Sequence, residues 1–298
     1  MVPDREPERR SRRPTCMRRA TAALSVLLLV VVGTACGNDD DPVATGGPPA
    51  KGEPTDVILR IASGGGFVPY GADFASVPML IQRDGTVFTP GAITMQYPGP
   101  ALYPVVTGHL SEAELEHLLA AARDTGLDQA ELDAGTPGIT DNPTTTITVE
   151  LDGEVHEHDV YALGFGGDPG SDGTETGLTE EQVAVRDRLQ TFVTEVSTQA
   201  SAVADQLYPP TGYQVIAQAA DPASSGGEDI QPNDLDWPFA DLALPTADQG
   251  GCIEVDGPRT ATFAGLLKQA TQITLWHTAD GGAFRLSIRV TLPGDEPC

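Results

Sequence analysis

Apolar and polar residues alternate along several short runs of this chain, and each run stops at a turn-forming pair. Residues 56–63 set Val57, Leu59 and Ile61 on one side, the period of two that marks a half-buried strand. Asp84-Gly85 separates residues 78–83 from 86–89, and Asp152-Gly153 separates 144–151 from 154–163. Asp-Gly between two such runs predicts a β-hairpin. Taken as two-residue turns, the first pairs Ile81 with Phe88, and the second sets His156 opposite Val149 and His158 opposite Ile147.

Two other segments carry the helical period. Ser111 and Glu114 form a capping box ahead of the stripe Leu115, Leu118, Leu119 and Ala122, and Gly126 supplies the stop. Thr179 and Gln182 cap a second stripe of Val185, Leu189, Phe192 and Val196. Strands, helix, strands, helix in that order predict an α+β fold, an antiparallel hairpin-built sheet covered on one face by two helices.

Beyond Pro209-Pro210-Thr211-Gly212 the pattern starts afresh. A strand is expected at 213–217, a loop over most of 218–251, a helix at 260–270, and a hairpin of 272–277 with 283–292. These predict a smaller α+β C-terminal domain. The Pro- and Gly-rich passage 90–106 receives no assignment.

The N-terminal apolar run has neither period. Arg18-Arg19 precede residues 20–32, and Gly33-Thr34-Ala35 lead to Cys36, the layout of a secretory signal peptide ending in a lipobox. Thirteen helical residues cover about 20 Å, short of the roughly 30 Å hydrocarbon core. Cleavage is therefore expected between Ala35 and Cys36, with diacylglycerol (palmitate-type chains) on the Cys36 sulfur as the stable anchor. The expected organisation is a signal peptide at 1–35, the lipidated cysteine and a flexible tether at 36–55, and domains at 56–206 and 207–298. The expected location is the extracytoplasmic face of the cell membrane.

Charge narrows the partners. The chain holds 17 Lys and Arg against 43 Asp and Glu, for a net charge of −26. Loss of 1–35 removes seven of the former and three of the latter, making the remainder more acidic still. Such a surface repels phosphate backbones and anionic headgroups. No nucleic-acid partner is expected, and the membrane is met through the lipid alone. Of the four cysteines, Cys252 and Cys298 remain once Cys16 is cleaved off and Cys36 acylated. An even pair outside the cell is expected as a disulfide.

Motifs for chemistry are sparse. Neither a Gly-x-Ser-x-Gly elbow nor a Ser-x-x-Lys pair is present, and both free thiols are assigned to each other. No catalytic residue, cofactor or metal is expected. His156 and His158 share a strand face and could grip a metal, but a third ligand is not close in sequence, and His117 on the first helix is the only suggestion. Asp168, Asp172 and Glu175 miss the spacing of a calcium loop. Gly64-Gly65-Gly66 reads as a chain reversal, and Trp237-Pro238-Phe239 with Leu242 and Leu244 as packing within its own domain.

The lipobox at Cys36, the Gly-Asp-Pro tether and the closing Pro293-Gly294-Asp295-Glu296-Pro297-Cys298 resemble lipoproteins of unknown function from high-GC Gram-positive bacteria. Residues 57–196, with Asp84-Gly85 and Asp141-Asn142-Pro143 entering a strand, are similar to small uncharacterised domains of exported proteins. The resemblance implies location and architecture and supplies no catalytic residue. The expected function is a non-enzymatic binding or scaffolding lipoprotein of the cell envelope, with its protein or small-molecule partner unnamed. The alternatives are the solute-binding lipoprotein of a transporter and an envelope hydrolase.

Overall fold

A computed structural model describes residues 56–165, 177–221, 230–245 and 251–298. All belong to one compact unit that reaches the C-terminus. Within it lie two sheets and two hydrophobic clusters.

Sheet 1 has seven strands, β1 (Val57–Gly64), β2 (Met79–Gln82), β3 (Thr86–Pro90), β4 (Val105–His109), β5 (Thr144–Leu151), β6 (Glu154–Tyr161) and β7 (Gln206–Leu207), in the order β6-β5-β1-β2-β3-β4-β7. Every pairing in it is antiparallel. The expected α+β fold with an antiparallel sheet and a smaller second sheet region is what forms. Helices α2 (Glu112–Thr125) and α3 (Glu180–Val203) supply Leu118, Ala122, Leu189, Phe192 and Val196 to a core shared with Leu59, Ile81, Val87 and Ile147 of the sheet. Both helices begin with the full capping box, Ser111 with Glu114 and Thr179 with Gln182. Each box satisfies amide hydrogens that no preceding turn can reach.

The Asp152-Gly153 hairpin pairs as expected, His156 with Val149 and His158 with Ile147. The Asp84-Gly85 hairpin does not. Ile81 faces Val87 and Leu80 faces Phe88, because the turn holds three residues, Arg83 to Gly85. Gly85 donates its N–H to Gln82 O at 2.9 Å with φ at 91°, the left-handed residue that closes a three-residue loop. A Cβ there would sit 2.5 Å from Leu110 O, so the position takes only glycine. The one-residue slip exchanges faces: Ile81 and Val87 join the helix-side core, while Leu80 and Phe88 join the second cluster.

Sheet 2 contains β8 (Gly212–Ala219), β9 (Asp234–Asp236), β10 (Ile253–Asp256), β11 (Leu275–His277) and β12 (Ala283–Val290), ordered β10-β8-β12-β11-β9. The chain passes from sheet 1 to sheet 2 between β7 and β8, at Pro209-Pro210. β9, which runs parallel to β11, and β10 both lie where no strand was expected. Helix α4 (Pro258–Leu267) buries Phe263 and Leu267, and Phe263 lies within 6 Å of the Tyr213, Trp237 and Trp276 ring centres. Trp237 Nε1 donates to Leu242 O at 2.7 Å, so the Trp237 segment packs inward. Leu80, Phe88 and Val105 of sheet 1 belong to this same cluster, which makes the second core common to both sheets.

Candidate interaction surface

Large apolar side chains left in water need an explanation when they gather. Six stand on two loops: Phe67, Val68 and Tyr70 between β1 and β2, and Ile93, Met95 and Tyr97 between β3 and β4. Phe67 is 91% exposed and Met95 99%, so these are projecting tips and not a worn edge of the core.

Strand direction places both loops together. Ile61 pairs with Met79, and Pro90 pairs with Val105, so the C-terminal ends of β1 and β3 lie at one end of sheet 1. The returning segments then meet the same strand of sheet 2. Gly71 lies against Ser287, and Leu102 bridges to Ile288, the next residue of β12. Phe67 N also donates to Asp141 O, just before β5. The short helix α1 (Ala72–Ala75) seats Phe74 beneath the Arg289 guanidinium at 4.9 Å. The loops are thus braced at their bases while their tips stay in solvent.

These two loops are also nearly free of charge. No Asp, Glu, Lys or Arg occurs between Asp84 and His109, and only Asp73 between Ile61 and Gln82. The Asp73 carboxylate accepts from Gly65 N at 3.0 Å. In a chain of net charge −26, these two loops thus carry a single acid, with Asp141 standing exposed beside them before β5. The chain enters the sheet at the other pole, where Val57 pairs with Gln82.

Residues singled out by sequence fall elsewhere. Ala35 and Cys36, and likewise Asp168, Asp172 and Glu175, lie outside the described residues. Cys252 and Cys298 are bonded, with Cα atoms 5.1 Å apart. His158 is 6% exposed and its Nε2 donates to Leu127 O at 3.1 Å, whereas His117 is exposed on α2. Among the described residues no three His, Cys, Asp or Glu side chains stand together as a metal would require, and no helix is long and apolar enough to cross a membrane.

Arg186 was not anticipated. It is fully buried on α3, and its guanidinium donates to the carbonyl oxygens of Phe165, Ala134, Tyr161 and Ala162. Burial lowers its pKa from the ordinary value. It fixes the end of β6 and the segments beside it. Clefts open to solvent among the described residues include ones of about 330, 650 and 330 Å³.

Compared with protein-family models, curated proteins and solved structures, the chain has no match.

Proposed function

We propose that this protein is a membrane-anchored extracytoplasmic lipoprotein that binds or scaffolds rather than catalyses, and that it engages an envelope protein through the apolar loops at one end of sheet 1. The observation that carries this reading is the placing of six exposed apolar side chains on two braced loops that carry a single acid, Asp73, in an otherwise acidic chain. Apolar and aromatic residues that are free of neighbouring charge make the core of protein interfaces. A lipid on Cys36 leaves these loops available, because the chain joins the sheet at the opposite pole. The antiparallel sheet 1 speaks against the parallel, alternating architecture expected of a transporter's solute binder.

The test has two arms. Cys36→Ser should shift the mass of the mature protein and release it from membranes; unchanged mass and membrane association would remove the lipid anchor. For the surface, a photocrosslinking side chain at position 95 of the anchored full chain should give one adduct of defined mass with a second protein. Position 84, exposed in the β2–β3 turn at the other pole, should not give it. Phe67→Asp should abolish it. A product of twice the chain mass would assign the surface to a second copy, and lipid adducts would assign it to a bilayer; either overturns the envelope-protein reading.

A further inference from the structure

One outer edge of sheet 1 is β6, which among the described residues pairs only with β5. The Asp152-Gly153 turn makes Leu151 and Glu154 the closing pair, and in a two-residue hairpin that pair exchanges both ladder bonds. Alternation then turns the N–H and C=O of Glu154, His156, His158 and Val160 toward β5. Those of Val155, Glu157, Asp159 and Tyr161 point outward. Tyr161 O accepts from Arg186, which agrees with that assignment. The outward groups of Val155, Glu157 and Asp159 have no partner among the described residues.

This edge is not bare surface. A cleft of about 650 Å³ runs beside it, walled by residues 157–160 of β6 and by residues 130–133, which follow α2. Four carboxylates line it, Glu131, Asp133, Glu157 and Asp159, and no Lys or Arg does. His158 lines it as well; more than nine-tenths buried, it has Nε2 committed to Leu127 O and no partner on its other ring nitrogen among the described residues. The far wall is held in place, since Asp133 accepts from Gln182 at 3.0 Å and Ala134 O accepts from Arg186. A row of unmet backbone groups beside an acidic slot has the features that strand addition uses, main-chain bonds for affinity and alternate side chains for selectivity.

We propose that β6 is a docking edge for an extended segment of a partner protein, which pairs with Val155, Glu157 and Asp159 as an eighth strand and carries basic residues at alternate positions. Val155 to Asp159 spans about 13 Å, so some five residues engage. Ligand side chains on the Glu157 and Asp159 face meet carboxylates and are Lys or Arg; those between them meet Val160 and Leu132 and are small or apolar. Charge complementarity chooses this occupant over an acidic or uncharged strand. The site is separate from the apolar loops, and it does not depend on their role.

The probe is a fluorescent seven-residue peptide of alternating Arg and Val, titrated by anisotropy against the full chain in detergent. Saturable 1:1 binding is expected. N-methylation of the peptide's alternate amides should weaken it at least tenfold, because it removes the ladder donors and keeps the charge. Glu157→Pro deletes one outward N–H from an edge where proline is tolerated, and should weaken binding comparably with the melting temperature retained. Glu157→Lys, which leaves the backbone able to pair, should also weaken it, and a Glu-Val peptide should not bind. Absence of binding, or binding indifferent to N-methylation and to Glu157→Pro, overturns the proposal and leaves Glu157 and Asp159 as charges that guard the edge.

Discussion

Arg60 on β1 donates from both terminal guanidinium nitrogens to Asp295 Oδ1 at 3.2 Å, across 235 residues of chain. The Asp295 side chain is 2% exposed and also accepts from Leu292 N at 2.9 Å. The pair therefore ties the first strand of sheet 1 to the tail that follows the last strand of sheet 2. Removing the guanidinium leaves a buried carboxylate with one amide partner, a loss on the order of 3 kcal/mol for a pair of this burial. Arg60→Met should lower the urea midpoint accordingly. Arg60→Lys, a single-point donor, should recover only part of it. A change below 1 kcal/mol in Arg60→Met would show that the tail is held by other means.

The same tail is closed by Cys252–Cys298, 46 residues apart. Gln214 Nε2 donates to Glu296 O at 2.7 Å and Cys298 N to Glu254 at 3.3 Å, so the native tail is held even without the bond. Loss of the disulfide should then act through the unfolded chain, by about 4 kcal/mol for a loop of this length. The double Cys252→Ser, Cys298→Ser variant should melt lower while amide protection along β10 and β12 keeps its native pattern. Local loss of that protection would place the effect in the folded state instead.

Acid should act through turns and caps. Asp84 Oδ1 accepts from Thr86 N at 2.8 Å, which holds its pKa below the ordinary 3.8. Glu114 Oε2 accepts from the Ser111 hydroxyl and amide, each at 2.7 Å, and its pKa lies below the ordinary 4.5. Both groups bind protons more weakly folded than unfolded, so their contribution is full above the unfolded values and is lost as pH falls through the folded ones. Stability should decline below about pH 4. Asp84→Asn and Ser111→Ala should each flatten that decline, as read from urea midpoints between pH 5 and 2.

What could be read from sequence was local. Two capping boxes and the Asp152-Gly153 turn each place their partners within four residues, so pattern and structure coincide. The Asp84-Gly85 turn has the same dipeptide but closes as a three-residue loop in which Gly85 O accepts from Leu110 N, and no short-range signal reports that remote bond. β7 and β9 are two and three residues long and form only by pairing with remote strands. The loop surface was half legible: its lack of charge is plain in the chain, but which loops share an end follows from strand order. The strand period sets His156 and His158 on one face, but that His158 is buried follows only from Leu127 returning over β6.

Arg186 stands three residues before Leu189, on the buried stripe of α3, where a charge contradicts the pattern. The contradiction is resolved by four carbonyl oxygens, those of Ala134, Tyr161, Ala162 and Phe165, that the fold aims at one guanidinium. No carboxylate pairs with it among the described residues. Its planar fork can serve several acceptors at once, which a lysine ammonium at the same depth cannot match. Arg186→Met keeps much of the volume and strands the four oxygens, at a cost of about 3–5 kcal/mol by analogy with a broken buried pair. Arg186→Lys should lose most of that as well. Because Ala134 and Tyr161 flank the cleft beside β6, both variants should also raise amide exchange at residues 130–135 and at the end of β6, ahead of global unfolding. Exchange unchanged there, with stability within 1 kcal/mol of the parent, would show that the carbonyls find other donors and that Arg186 is no pin.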